Sequence, residues 1–263
     1  MKIVTLASSS KGNCIYIETS KTKILVDAGI PVSKIVDSLG KIGVMPEDID
    51  SIVVSHEHID HAKSVGKFSK KYNSEIFVSA KTYRALVDKK YISPNNNKIY
   101  IFEDIFYLKD LVVESFEVPH DAKDCRAFNF YNSQNKISIV TDLGHFNKKI
   151  IELIRGSSLV ILESNYDEDL ILQNYKYPER LKSRIRGNKG HLSNIDAAEL
   201  IYNLIGLGLK QVILAHLSEE NNRPERAYTT IKEILKNRGI TEGEHVFIDV
   251  APVCAPGNIY KIS

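Results

Sequence analysis

Tryptophan is absent from the 263 residues, and there are only three cysteines. Cys14, Cys125 and Cys254 lie far apart, form no CxxC and are odd in number. That argues against a disulfide framework and leaves free thiols in a reducing compartment as the expectation. No apolar run approaches the roughly 20 residues of a membrane-spanning helix. Met1-Lys2-Ile3-Val4 leads straight into a polar loop without a signal-peptide pattern. The expectation is a soluble, cytoplasmic chain. A dominant charge is also missing: Lys and Arg number 35 against 33 Asp and Glu, a net of +2. A nucleic-acid enzyme with this balance must hold its basic residues in a local strip. No linker, low-complexity tract or repeat divides the chain, so 1–263 reads as one domain.

What is present is a run of short strands followed by alternating strands and helices. Strands are expected at 2–6, 14–18, 23–26 and 50–55. A helix is expected at 31–41, with Val32, Ile35, Val36 and Leu39 on one side. Then come a helix at 62–72, a strand at 75–78, a helix at 81–89 and strands at 98–102, 105–108 and 111–118. Segments 128–131 and 136–141 form a hairpin around Asn132-Ser133-Gln134-Asn135. A strand at 158–163, a helix at 194–204 capped by Ser193 or Asn194, a strand at 210–215, a helix at 223–237 and a strand at 245–250 complete the chain. This order predicts an α/β fold of two packed sheets with helices outside.

Three of the eight histidines fall in the six residues His56-Glu57-His58-Ile59-Asp60-His61. Divalent metals such as Zn²⁺ take neutral imidazole and carboxylate ligands and can leave a position for water. On extended backbone His56 and His58 point to the same side, and Glu57 to the other. Asp60 and His61 come after the chain turns, so they can face a second ion. A chance surface cluster is the alternative. The position after the apolar strand Ile52-Val53-Val54 tells against it.

The run resembles the defining His-x-His-x-Asp-His motif of the metallo-β-lactamase superfamily. Further landmarks of that family follow in order. Asp27, in Leu25-Val26-Asp27-Ala28-Gly29, resembles the aspartate that supports the metal loop. His120, in Val118-Pro119-His120-Asp121, resembles the next metal histidine. Asp142, in Thr141-Asp142-Leu143-Gly144, resembles the carboxylate that bridges two ions. His216, in Leu214-Ala215-His216-Leu217, resembles the last metal histidine. The resemblance covers essentially the whole chain. It implies the metallo-β-lactamase αββα sandwich and two divalent metal ions (Zn, Mn or Fe). His56, His58 and His120 would hold one ion and Asp60, His61 and His216 the other. Asp142 would be shared, with an attacking hydroxide between the ions. Taken singly, His120 is a loop residue, Asp142 a turn carboxylate and His216 a core histidine; their joint order carries the reading. His145 and His245 match no motif and are assigned to structure or solvent.

Further features bear on the substrate. Gly190-His191-Leu192-Ser193-Asn194 resembles a segment of RNase Z-like nucleases. That makes His191 a general acid or phosphate contact, with Ser193 and Asn194 beside it; a helix-capping loop is the alternative. Glu163, in Leu162-Glu163-Ser164, resembles the glutamate that orients such a histidine, a solvent-facing strand end being the alternative. With Asp60, these two form the expected catalytic group. Residues 176–189 hold six Lys/Arg against Glu179, a net of +5. Arg184, Arg186 and Lys189 are therefore candidate phosphate contacts, though charge runs are also ordinary solvated faces. In Ser8-Ser9-Ser10-Lys11-Gly12-Asn13, residues Ser9, Ser10 and Asn13 could hold a phosphate or support a metal ligand, or form a plain turn.

The combination resembles the WalJ/YycJ-type branch of the superfamily. That implies a dinuclear-metal 5′→3′ exonuclease whose partner is nucleic acid, DNA in the first instance, with no membrane and no obligate protein partner. Lys11 departs from the branch, where a small residue is common. No β-CASP-type insertion separates Asp142 from His216. A rival of the same fold is a thioesterase, lactonase or cyclic-nucleotide phosphodiesterase, which needs a small pocket and no basic strip. A non-catalytic binding module is opposed by the complete set of seven ligands.

Overall fold

Near-continuous apolar runs in a strand require cover on both faces. That condition shapes the computed structural model, which describes residues 1–95 and 98–262. Residues 96, 97 and 263 of the expected 1–263 domain lie outside the described part. The first half contributes β1 (Lys2–Ala7), β2 (Cys14–Glu18), β3 (Lys23–Val26), β4 (Ser51–Val53), β5 (Glu75–Val78) and β6 (Ile99–Ile101). The second contributes β7 (Ile105–Leu108), β8 (Leu111–Glu117), β9 (Arg126–Tyr131), β10 (Lys136–Val140), β11 (Leu159–Glu163), β12 (Gln211–Ala215) and β13 (Phe247–Val250). A short β14 (Tyr260–Lys261) returns to pair with β1. The sheet orders are β14-β1-β2-β3-β4-β5-β6 and β13-β12-β11-β10-β9-β8-β7.

Alternate residues of each strand enter different cores. Ile24 and Val26 of β3 join Ile137, Ile139 and Ile161 between the sheets. Leu25 points outward, into a core shared with Ile35 and Leu39 of α1 (Val32–Lys41). On the far side, Val160 and Leu162 of β11 pack with residues of α5 (Lys148–Ile154), α8 (Asn194–Ile205) and α9 (Pro224–Asn237). The result is helix, sheet, sheet, helix: the metallo-β-lactamase αββα sandwich. No helix among the described residues is long and apolar enough to cross a membrane.

Several elements differ from expectation. The helix expected at 62–72 is two pieces, α2 (Ile59–Ala62) and α3 (Val65–Tyr72). Ser64 breaks the run by donating its amide to the Ala28 carbonyl. The strand expected at 50–55 pairs only through Ser51–Val53, because the Ser55 amide turns to the Asp27 carboxylate. Helix α4 (Ala80–Asp88) starts one residue early, on a Ser79 cap. Helices α5, α6 (Glu168–Gln173) and α7 (Glu179–Ile185) were not expected. Each is seven residues or shorter, too short for a clear 3.6-residue period. Ser193, not Asn194, caps α8: its hydroxyl accepts from the Asp196 amide.

Strands β3 and β4 run parallel, as do β10 through β13. Parallel strands expose their carboxyl ends together, and loops leaving those ends build ligand sites.

Candidate metal centre

The first sheet supplies one loop and its supports. Asp27 leaves β3 with a left-handed backbone, φ 62°. Its carboxylate accepts from the Ser55 amide and hydroxyl, each at 2.8 Å. It also lies 2.7 Å from His61 Nδ1. A proton on Nδ1, held by the carboxylate, leaves Nε2 as the lone-pair nitrogen. The Ser55 hydroxyl is 3.0 Å from His56 Nδ1 as well. Ser55 thus steadies two histidines, a role the sequence reading missed although the serine directly precedes the cluster. Gly29 allows the loop to close: a Cβ there would lie 1.6 Å from the Asp60 carbonyl oxygen. Glu57 points away and accepts from the Lys123 amide.

The second sheet supplies its residues one by one. His120 Nδ1 lies 3.0 Å from the Gly190 carbonyl. A carbonyl only accepts, so Nδ1 carries the proton and Nε2 faces inward. Asp142 and His216 follow β10 and β12 and both have φ 56°. Such backbone is uncommon outside glycine, and it clusters at functional sites. Glu163 ends β11 fully buried. One oxygen accepts from the Leu143 and Leu192 amides at 2.8 and 3.1 Å. The other lies 2.8 Å from His191 Nδ1 and 2.7 Å from His216 Nδ1. The link to His191 matches the sequence expectation; the link to His216 was not foreseen.

These side chains converge. Ligand atoms of His56, His58 and His120 lie within 4.8 Å of one another, and so do those of Asp60, His61 and His216. Asp142 sits between, 3.4 Å from His120 Nε2 and 3.1 Å from His61 Nε2. Buried His56 Nε2 has no hydrogen-bond partner, and Asp142 Oδ2, despite its proximity to His61, lacks hydrogen-bonding geometry. Polar atoms buried without partners are costly, and here they share one space with inward-facing imidazoles. The donor set therefore fits divalent metal. The electrostatics agree. Burial pushes His56 well below its ordinary pKa, helped by the charge of His61. Burial would lower His61 and His216 too, but the carboxylates prevail: Asp142 and Asp60 hold His61 well above its ordinary value, and Asp142, Asp60 and Glu163 raise His216 to about 10. Burial opposes ionisation of Glu163, yet His191 and His216 bring it down to about 2. A cavity this anionic holds cations, whether protons or metal.

The metal cavity, about 530 Å³, is also lined by Ser10, Lys89, Tyr91, Arg184 and His191. A larger groove of about 860 Å³, beside Lys2, Glu18 and Lys261, contains none of the histidines. Four expected substrate contacts have framework roles instead. Ser9 is buried, and its hydroxyl accepts from the Lys11 amide. Asn13 donates to the Ser9 carbonyl and lies 3.1 Å from His61 Nε2, bracing the metal loop. Ser193 caps α8. Asn194 is buried in a net with Ser164 and Asn222. Ser10 reaches the cavity and accepts from Asn165. Arg184 reaches it too, bound to Asp121 at 2.5 Å. Arg186 turns to Glu168, and Lys189 stands exposed. His145 is exposed, His245 is half-buried beside Thr241, and neither belongs to the site.

Residues 10–123 match the sequence profile of the metallo-beta-lactamase superfamily. Exodeoxyribonuclease WalJ of Streptococcus pneumoniae is 37% identical over 233 residues, covering 88% of this chain and 86% of the relative. This chain belongs to the metallo-β-lactamase superfamily. Within it, exodeoxyribonuclease YycJ of Bacillus anthracis is 34% identical over 241 residues, 91% of this chain and 90% of the relative. The superfamily fold also appears in the crystal structure of YhfI from Bacillus subtilis. That structure has a TM-score of 0.74 at 14% identity and covers 98% of this chain and 99% of that one.

Proposed function

We propose that the protein is a dinuclear-metal DNA exonuclease of 5′→3′ polarity, working in the cytoplasm. The observation that carries the phosphodiesterase reading is Glu163, whose one oxygen joins His191 to the ligand His216. It ties a histidine outside the two three-ligand groups to the metal site. The curated relatives are named exodeoxyribonucleases over nearly their whole length, which supports DNA as substrate.

His56, His58 and His120 would hold one ion and Asp60, His61 and His216 the other, and Asp142, close to histidines of both groups, would serve both. Divalent ions supply Lewis acidity, drawing charge from a phosphodiester and making water acidic enough to attack near neutral pH. The residues do the rest. Asp27, Glu163 and the Gly190 carbonyl fix imidazole orientation, so that Nε2 of His61, His216 and His120 points inward. Glu163 keeps a proton on His191 Nδ1 and so sets the ring's direction. Nε2 of His191 then holds a proton or hydrogen bond toward the departing oxygen. Ser10, on the cavity wall, positions the flanking phosphate, while Arg184 on the same wall is held by Asp121.

The test is digestion of 5′- and 3′-labelled DNA and RNA, single- and double-stranded, with Mn²⁺ or Zn²⁺. Metal-dependent shortening of DNA from the 5′ end, lost in Asp142→Ala, is the expected result. Turnover of a thioester or lactone with no cleavage of nucleic acid would replace the reading with a small-molecule hydrolase.

A further inference from the structure

The basic stretch at 176–189 is largely neutralised in the fold. Lys176 pairs with Glu220, Lys182 with Glu179, Arg184 with Asp121 and Arg186 with Glu168. Another wall of the site differs. Residues 63–90 carry eight Lys/Arg against Glu75 and Asp88 alone. Lys67 and Lys70 on α3, and Lys90 after α4, are exposed and lack ion-pair partners among the described residues. These three lysines line a cavity of about 410 Å³ together with Val87 and Tyr91. Tyr91 also lines the metal cavity, beside Lys89. The two hollows therefore share a wall. Lys89 Nζ donates to the Glu57 carbonyl at 3.1 Å, which ties the start of this path to the metal loop itself.

Ammonium groups without counter-ions leave a positive potential that a polyanion relieves. Single-stranded nucleic acid is bound by this combination of a basic groove and an aromatic face. We infer that a single strand leaves the metal cavity past Lys89 and Tyr91 and lies across Lys67, Lys70 and Lys90, with phosphates on the lysines and a base against the tyrosine. The inference rests on the nuclease reading and deepens it. A small acyl or lactone substrate would end inside the metal cavity and never reach this hollow.

The test uses Lys67→Glu, Lys70→Glu and Lys90→Glu combined, with the triple alanine variant in parallel in case reversal disturbs folding. The comparator is Lys148→Glu, Lys149→Glu and Lys236→Glu, an equal charge change on α5 and α9. Binding of a fluorescent 20-nucleotide single strand is followed by anisotropy in EDTA at several salt concentrations. Hydrolysis of that strand is compared with hydrolysis of a dinucleotide, too short to leave the metal cavity. The track variants should bind the long strand about tenfold more weakly or worse. Their salt dependence should be shallower by about two, at roughly 0.7 per lost phosphate contact. KM should rise for the long strand and not for the dinucleotide, and the comparator should behave as wild type. Unchanged affinity and salt slope in variants that still cleave DNA would reject the track and leave the nuclease standing. A wild-type protein that neither binds nor cleaves DNA would reject both.

Discussion

The two sheets build the site in different ways. The first gives His56 and His58 on the loop after β4 and Asp60 and His61 on the short helix α2 that continues it; the second gives His120, Asp142 and His216 from separate strand ends. The loop residues share their supports, namely Asp27, Ser55 and the close approach at Gly29. Each second-sheet residue has its own: the Gly190 carbonyl for His120, Glu163 for His216, and a left-handed turn for Asp142. Damage to the loop's supports should therefore loosen several ligands together. Damage to the second sheet should act on one ligand at a time. Asp142 is the exception, since it faces histidines from both sheets.

Asp142→Ala breaks this comparison hardest. Activity should fall by about 10³-fold or more, and bound metal, read by plasma mass spectrometry, should drop sharply. Metal content near wild type would make Asp142 an ordinary second-sheet residue. His191→Ala should lower kcat by about 10² to 10⁴-fold with metal content unchanged; loss of metal would move His191 among the ligands. Asp27→Asn keeps a residue that tolerates left-handed backbone and should weaken metal affinity by about 10- to 100-fold in chelator competition. An unchanged affinity would show that the loop does not depend on its shared support.

A smaller effect concerns pH. In EDTA, His216 has a folded value of about 10 against an ordinary 6.5, so its stabilisation is complete below 6.5 and fades as pH rises toward 10. Glu163 has a folded value of about 2 against 4.5, so its contribution is present above 4.5 and is lost as pH falls through 2. Thermal melting of the chelated protein should therefore decline from pH 6.5 to 10, and saturating metal should flatten that limb. A flat limb in EDTA would contradict the ion pairing. The smallest effect is Ser193→Ala, which should cost about 1 kcal/mol of stability through the lost cap and leave KM for DNA unchanged. A raised KM would restore Ser193 as a substrate contact.

The same contrast decides what was legible in the sequence. His56 to His61 stand out because chemistry and proximity coincide in one short segment. The αββα order could be read because the long strands and α1, α8 and α9 have clear apolar periods. The second-sheet residues became visible only through the resemblance, since nothing local distinguishes His216 from a core histidine. What escaped depends on tertiary contact. The Ser55–Asp27 and Glu163–His216 links exist only once two strand ends meet. Ser193, Asn194 and Asn13 looked like substrate contacts because polar residues near a motif give no sign of burial. The charge at 176–189 looked available because its partners Asp121, Glu168 and Glu220 are distant or unremarkable in sequence.

The most direct test of a two-metal centre is anomalous diffraction from crystals grown with Zn²⁺ or Mn²⁺. Two peaks are expected, one among His56, His58 and His120 and one among Asp60, His61 and His216, with Asp142 touching both. A single peak, or two peaks with Asp142 bound to neither or only one, would contradict that arrangement.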